Sequence, residues 1–243
     1  MSELALSFIG TGNAFAPGGL CWNGFLANHR YLFEAPPQAL MSVRRAGLDP
    51  NELEAVIISH HHADHLLGLP FLLLYWKYQG RSTPVTIVGP RETRSVMEQV
   101  TERTYPSLFE IDYQIDWVVA EPGRDLTVGD LRLSPVEAKH DPKLNVCLGY
   151  ACRLDGRKFG YTGDTSFCDG VVDLARHSEV LVSECASRAS DVPIHMNLVD
   201  DIPRVRAALA PEATLLLTHI DSDVDAGGMA NTIVAKDYAT YRF

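Results

Sequence analysis

The sequence predicts a single layered α/β domain over residues 1–243, and three observations lead there. Apolar strand-like runs alternate with helix-like segments through both halves of the chain, the pattern of stacked sheet and helix layers. A chain of 243 residues, 46% hydrophobic and 21% charged, is long enough for one substantial core and has an ordinary globular balance. Finally, residues with ligand chemistry stand just after apolar strands: His60 after Ala55–Ile58, His140 after Leu131–Ala138, Asp164 after Arg157–Tyr161 and His219 after Thr214–Leu217. Strand ends on a rigid sheet are good places to hold a site.

The elements follow in order. Leu4 to Ile9 is a strand that runs into Gly10-Thr11-Gly12-Asn13 and the loop Pro17-Gly18-Gly19. Gly24–Asn28 and Tyr31–Glu34 form a hairpin, and Pro36–Ala46 reads as a helix stopped by Gly47. The short apolar strand Ala55–Ile58 leads into the histidine cluster, and a helix over Leu67–Tyr78 follows. Val85–Val88 is a buried strand and Arg91–Thr101 a helix. Ile111–Val119 and Leu131–Ala138 are strands separated by Pro122-Gly123. Asp155-Gly156 between Cys147–Leu154 and Arg157–Tyr161 is a strong two-residue hairpin signal. Helix Val171–Arg176, strand Val180–Ser183, helix Leu198–Leu209, strand Thr214–Leu217 and a last strand over Val234–Arg242 complete the chain.

Composition narrows the function. A formal net charge of −10 argues against a broad face for long nucleic acid, because such affinity comes mainly from Lys and Arg against phosphates. Met1-Ser2-Glu3-Leu4 has neither a basic region nor an apolar stretch, so it reads as the approach to a first strand rather than a leader. The longest apolar run, Leu66–Trp76, is too short to span a bilayer and contains Gly68 and Pro70. A cytoplasmic protein without membrane partners is expected. The five cysteines are odd in number and none pairs as Cys-x-x-Cys, which points to free thiols in a reducing compartment.

The central signal is His60-His61-His62-Ala63-Asp64-His65. Imidazoles and carboxylates at the end of an apolar strand are hard to explain as packing, and they suit zinc first, with manganese or iron also compatible. One loop cannot close two metal sites, so further ligands must come from elsewhere. His140, Asp164 and His219 each have an ordinary alternative reading, as a capping histidine, a turn aspartate and a satisfied core histidine. Their joint occurrence after the cluster shifts the balance toward ligands.

On these residues the chain resembles the metallo-β-lactamase-fold hydrolases, where His-x-His-x-Asp-His is followed by His, Asp and His. The resemblance implies a four-layer αββα sandwich with a dinuclear metal site at the sheet edge. It implies that His60, His62 and His140 hold one metal, Asp64, His65 and His219 the other, and that Asp164 bridges both. Two divalent ions, Zn2+ foremost, with Mn2+ or Fe2+ as options, are therefore expected. Phe8-Ile9-Gly10-Thr11-Gly12-Asn13, Ala46-Gly47-Leu48-Asp49-Pro50, Gly68-Leu69-Pro70, Thr162-Gly163-Asp164-Thr165 and His195-Met196-Asn197-Leu198 are similar to the ribonuclease Z-like branch and its cyclic-phosphate phosphodiesterases. Glu34-Ala35-Pro36 departs from the Asp-x-Gly usual there, which bears on the local loop. The long arm with which ribonuclease Z proper grips transfer RNA has no room here, because only a short hairpin lies between His140 and Asp164 and one helix–strand unit between Asp164 and His195.

The resemblance therefore implies a phosphodiesterase that uses a metal-bridging hydroxide on a small or short phosphodiester, a cyclic nucleotide phosphate or an oligonucleotide end. Asp64 would ligate metal and orient the nucleophile, His195 would donate a proton to the leaving oxygen, and Glu184 would orient His195. Taken alone, His195 reads as a residue just before the Leu198–Leu209 helix. A homodimer is implied by the branch. A lactonase or thioesterase of the same fold is the alternative, and a non-catalytic metal-binding module a third reading.

Overall fold

The computed structural model describes residues 3–189 and 192–243. Two seven-stranded sheets lie face to face. The first contains β1 (Ala5–Gly10), β2 (Gly24–Ala27), β3 (Tyr31–Phe33), β4 (Ala55–Ile57), β5 (Val85–Gly89), β6 (Ile115–Val119) and β14 (Thr240–Arg242), in the order β14-β1-β2-β3-β4-β5-β6. The second contains β7 (Leu126–Val128), β8 (Leu131–Ala138), β9 (Cys147–Leu154), β10 (Arg157–Tyr161), β11 (Val180–Glu184), β12 (Thr214–Thr218) and β13 (Thr232–Val234), in the order β13-β12-β11-β10-β9-β8-β7. Each sheet is mixed: β3 to β6 and β10 to β13 are parallel, the remaining pairs antiparallel.

Three apolar clusters account for the layering. Alternate residues of both sheets meet in the middle, among them Leu6 and Phe8 of β1, Leu148 and Tyr150 of β9, and Phe159 and Tyr161 of β10. Phe25 stacks on Phe33 with ring centroids 4.7 Å apart, and Tyr161 meets Phe25 edge-on at 5.3 Å, geometries that aromatic quadrupoles favour. On the outer face of the first sheet, Leu26, Val56 and Ile87 pack against α1 (Ala39–Arg45), α3 (Leu69–Tyr78) and α4 (Thr93–Thr104). On the outer face of the second, Leu181, Leu215 and Leu217 pack against α5 (Asp169–His177) and α6 (Ile202–Ala208). A sheet with helices on one face and another sheet on the other buries both faces, which is why β1 and β4 are buried throughout and mostly apolar rather than alternating. The result is the four-layer αββα sandwich. Among the described residues no helix is long and apolar enough to cross a membrane, and all five cysteines are free.

Several boundaries differ from the sequence reading. The segment read as one strand from Val234 to Arg242 is two: β13 joins the second sheet and β14 the first. The chain turns between them at Tyr238, with φ 62°, and Asp237 accepts hydrogen bonds from Thr11 Oγ1 and Cys21 N. Strand β7 is short and its partner β8 supplies the pairing, so it gave no period of its own. Residues 111–114 stay outside β6. The helix expected from Leu198 starts only at Ile202, because the Asn197 side chain accepts from Val199 N and Asp200 N and makes a turn first. The hairpin at Asp155-Gly156 has positive φ at both residues, 51° and 84°, as a tight primed turn requires.

Candidate metal centre and active site

Strand β4 delivers the first ligands. Its exit is pinned to both sheets, since Ile58 N donates to Val88 O, Leu148 N donates to Ser59 O and Tyr150 OH donates to Ile58 O. His60 follows, fully buried, and its Nδ1 shares a 2.8 Å hydrogen bond with Ser59 Oγ, which turns Nε2 inward. His61 points elsewhere and bonds Thr93 Oγ1. His62 is the N-cap of the single helical turn α2 (Ala63–Leu66), and this turn brings Asp64 and His65 back to the same centre.

The second sheet supplies the rest. His140 follows β8; its Nδ1 bonds Ile194 O at 3.0 Å and its Nε2 lies 3.0 Å from His62 Nδ1. Asp164 follows β10 through Gly163, whose φ is +58° and where a Cβ would sit 2.4 Å from Leu148 O. That position requires glycine on both counts. His219 follows β12 with φ 51°. Asp164 Oδ2 stands 3.2 Å from His219 Nε2, 3.3 Å from His65 Nε2, and 3.9 Å from Nε2 of both His60 and His140.

The ligand atoms of His60, His62 and His140 lie within 4.8 Å of one another, as do those of Asp64, His65 and His219, and those of His60, His65 and Asp164. The residues fit metal ions on two observations. The buried atoms His60 Nε2, His65 Nε2, Asp164 Oδ1 and His219 Nε2 have no hydrogen-bond partner and converge on one region, an arrangement that is costly without a cation. The donor set is five imidazoles and two carboxylates, borderline in softness. Burial and the neighbouring His65 hold His60 well below the usual imidazole range, so it is neutral and ready to ligate. Burial would raise the Asp164 carboxyl, but His219 and His65 outweigh it and keep it ionised.

Supporting contacts select which ring nitrogen faces the centre, a role such neighbours commonly play. His62 Nε2 bonds Asp141 Oδ2 at 3.2 Å, leaving Nδ1 inward. His65 Nδ1 lies 3.5 Å from Glu34 Oε1. Glu34 is fully buried, has φ 63°, and accepts from Ser59 N and Tyr161 OH. The sequence reading marked Glu34-Ala35-Pro36 only as a departure. The signal was there: Glu34 is a carboxylate directly after an apolar strand, like the ligands themselves. Its loop is locked to the motif helix, since Ala35 N donates to His65 O, Gly68 N donates to Ala35 O, and a Cβ on Gly68 would lie 1.9 Å from Pro36 O.

His195 lies on the loop after β11 rather than at a helix start. Its Nδ1 is 3.0 and 3.2 Å from the two carboxylate oxygens of Glu184, the last residue of β11. Glu184 is wholly buried and also accepts from Thr165 N and Met196 N. The His195 ring stands 4.7 Å from that of His140 and 5.4 Å from that of His219, centroid to centroid. Burial lowers its affinity for a proton, but the Glu184 carboxylate outweighs this and pushes it up to about 9. His195, Asp64 and Asp164 share a cleft of about 350 Å³ with Asn13, Phe15 and Ile194. All nine residues assigned a role from sequence thus meet at one sheet edge.

Comparison with known proteins agrees. The family described as "Beta-lactamase superfamily domain" matches residues 29–220. The chain is 27% identical to a ribonuclease Z of Geobacillus kaustophilus, over 87% of this chain and 88% of that one. The fold is shared with the metallo-β-lactamase fold protein YhfI from Bacillus subtilis, at TM-score 0.78 and 20% identity with both chains fully covered. It is shared too with a diphosphatase from the PhnP family, at TM-score 0.76 and 18% identity over 99% of this chain and 98% of the other. With a match over most of its length and the ligand-bearing strand ends in place, the chain belongs to the metallo-β-lactamase-fold, metal-dependent hydrolases of the β-lactamase superfamily.

Proposed function

We propose that the protein is a phosphodiesterase for small or short phosphodiesters, working with two divalent ions, zinc foremost. The observation that carries this reading is the buried Glu184–His195 pair beside the candidate ligand cluster. It is a proton donor placed at the cleft in addition to the ligands, as a poor alkoxide leaving group requires. When bound, the ions supply Lewis acidity, acidifying water and drawing charge from the scissile group.

The residues do the rest. His60, His62, His140, Asp64, His65, Asp164 and His219 would hold the ions. Asp64 reaches the cleft with its carboxylate and orients the attacking water. Glu184 keeps His195 protonated at Nδ1, leaving Nε2 to give its proton to the departing oxygen. Support also comes from the relative named ribonuclease Z and the structural neighbour named a diphosphatase, both names placing the chemistry at phosphorus. Short substrates are favoured because only the β9–β10 hairpin lies between His140 and Asp164 and only α5 and β11 between Asp164 and Glu184, with no room for an RNA-gripping arm. Pairing of two copies is supported by exposed apolar side chains on two helices that touch each other, Phe71 and Tyr78 on α3 and Met41 on α1; sedimentation equilibrium checks it.

The test is hydrolysis of bis(p-nitrophenyl) phosphate with metal content measured on the same sample. Turnover with about two metals per chain supports the reading. Two metals with no phosphodiester turnover, but hydrolysis of a lactone or thioester, would replace it with the carbonyl-centred alternative. Metals with no turnover of any of these would leave a binding module.

A further inference from the structure

Phe15 is out of place for a core residue. It is 89% exposed, yet it borders the same cleft as Asp64 and His195. Its backbone is fixed: Asn13 N donates to Ile220 O, Asn13 Nδ2 donates to Ala186 O, Phe15 N donates to Asn13 Oδ1, and Trp22 Nε1 donates to Ala14 O. A rigid loop that presents a bare aromatic ring beside a catalytic cleft is a stacking surface. The lining also includes Ala186, Val192 and Ile194, which are equally apolar.

The charge pattern of the cleft is the second observation. Among the described residues lining it, none is lysine or arginine, and Asp221 adds a carboxylate two residues beyond His219. A phosphodiester brings one negative charge, which divalent ions held by the ligand cluster would offset. A substrate with a further phosphate would bring more, with no lysine or arginine to meet it, the His195 cation already committed to the leaving oxygen, and Asp221 to repel it. The cleft volume of about 350 Å³ is also at the small end for ligand sites.

We propose, resting on the phosphodiesterase reading, that Phe15 is the stacking platform for a nucleobase on the non-leaving side of a singly charged phosphodiester. By the same geometry the cleft selects against substrates that carry a second phosphate. Phe15 sets specificity and Asp221 sharpens it.

The experiment is steady-state kinetics on the metal-loaded protein with three p-nitrophenyl diesters. These are the methyl ester of p-nitrophenyl phosphate, the p-nitrophenyl ester of thymidine 5′-phosphate, and the latter with an added 3′-phosphate. Phe15→Ala should raise KM for the thymidine ester about tenfold, the lower end of what base stacking contributes. It should leave kcat and the methyl ester unchanged, and Phe15→Trp should restore the KM. The 3′-phosphorylated ester should be the poorest of the three for the native protein, and Asp221→Asn should improve it selectively. Equal effects of Phe15→Ala on the methyl and thymidine esters, or no effect, would overturn the platform. Undiminished turnover of the 3′-phosphorylated ester would overturn the charge selection. Should no diester be hydrolysed, the phosphodiesterase reading falls by itself. Calorimetric binding of thymidine, weakened in Phe15→Ala, would then still uphold the platform, and equal binding would overturn it.

Discussion

Glu184→Gln tests how the site holds its proton. Glu184 is fully buried, and its two oxygens accept from His195 Nδ1, Thr165 N and Met196 N. Glutamine has the same shape but replaces one acceptor oxygen with a donor, leaving one of these N–H groups facing another. That costs about 1–3 kcal/mol of stability. The larger effect is on His195. Burial alone would pull its proton affinity below the ordinary 6.5, and the Glu184 carboxylate brings it to about 9. Without that charge the affinity returns to 6.5 or below. A proton donor works only while protonated, so activity falls as pH rises through this value. The alkaline limb of kcat should therefore move down by about 2 pH units in the variant, and at pH 7.5 the rate should fall about tenfold or more. Bound cations displace both limbs downward together, so the difference between the two proteins is the quantity to measure. The assay is kcat against pH on a nucleoside cyclic phosphate, whose alkoxide leaving group needs the proton, with protein of verified metal content and KM followed as a control. An unchanged alkaline limb with a uniform loss at every pH would refute the argument, because Glu184 would then be holding the backbone and not the proton.

Four further outcomes are expected. His195→Ala should lower kcat on a nucleoside cyclic phosphate, with its alkoxide leaving group, about 10²- to 10⁴-fold while atomic absorption still finds both metals, since the residue stands outside the ligand cluster. Glu34→Gln should weaken metal binding about 10- to 100-fold by loosening His65, measured by competition with a chromophoric chelator; unchanged affinity would remove Glu34 from the support of the site. Gly163→Ala should destabilise by about 2 kcal/mol or more in urea, because its positive φ and the approach of Leu148 O both exclude a Cβ. Stripping the metals should lower Tm and restoring them should raise it again, because half-buried Asp64 and buried Asp164 lose their counter-charges; a calorimetric scan of both forms checks this.

Sequence determined the strands and what stands at their ends. A run such as Ala55–Ile58 is apolar because both faces of β4 are buried, and a hydrophilic cluster after it has to leave the core at a sheet edge. For that reason His60, His140, Asp164 and His219 could be picked out, and the resemblance grouped them. Periodicity reports which residues are buried, not which strand lies beside which. Only the tertiary structure could place β13 and β14 in different sheets, bring Glu34 to His65 and Phe15 to the cleft, and choose the inward nitrogen of each imidazole. Those decisions rest on contacts between residues far apart in the chain, such as Tyr161 with Glu34 and Asn13 with Ala186, and no local pattern encodes them.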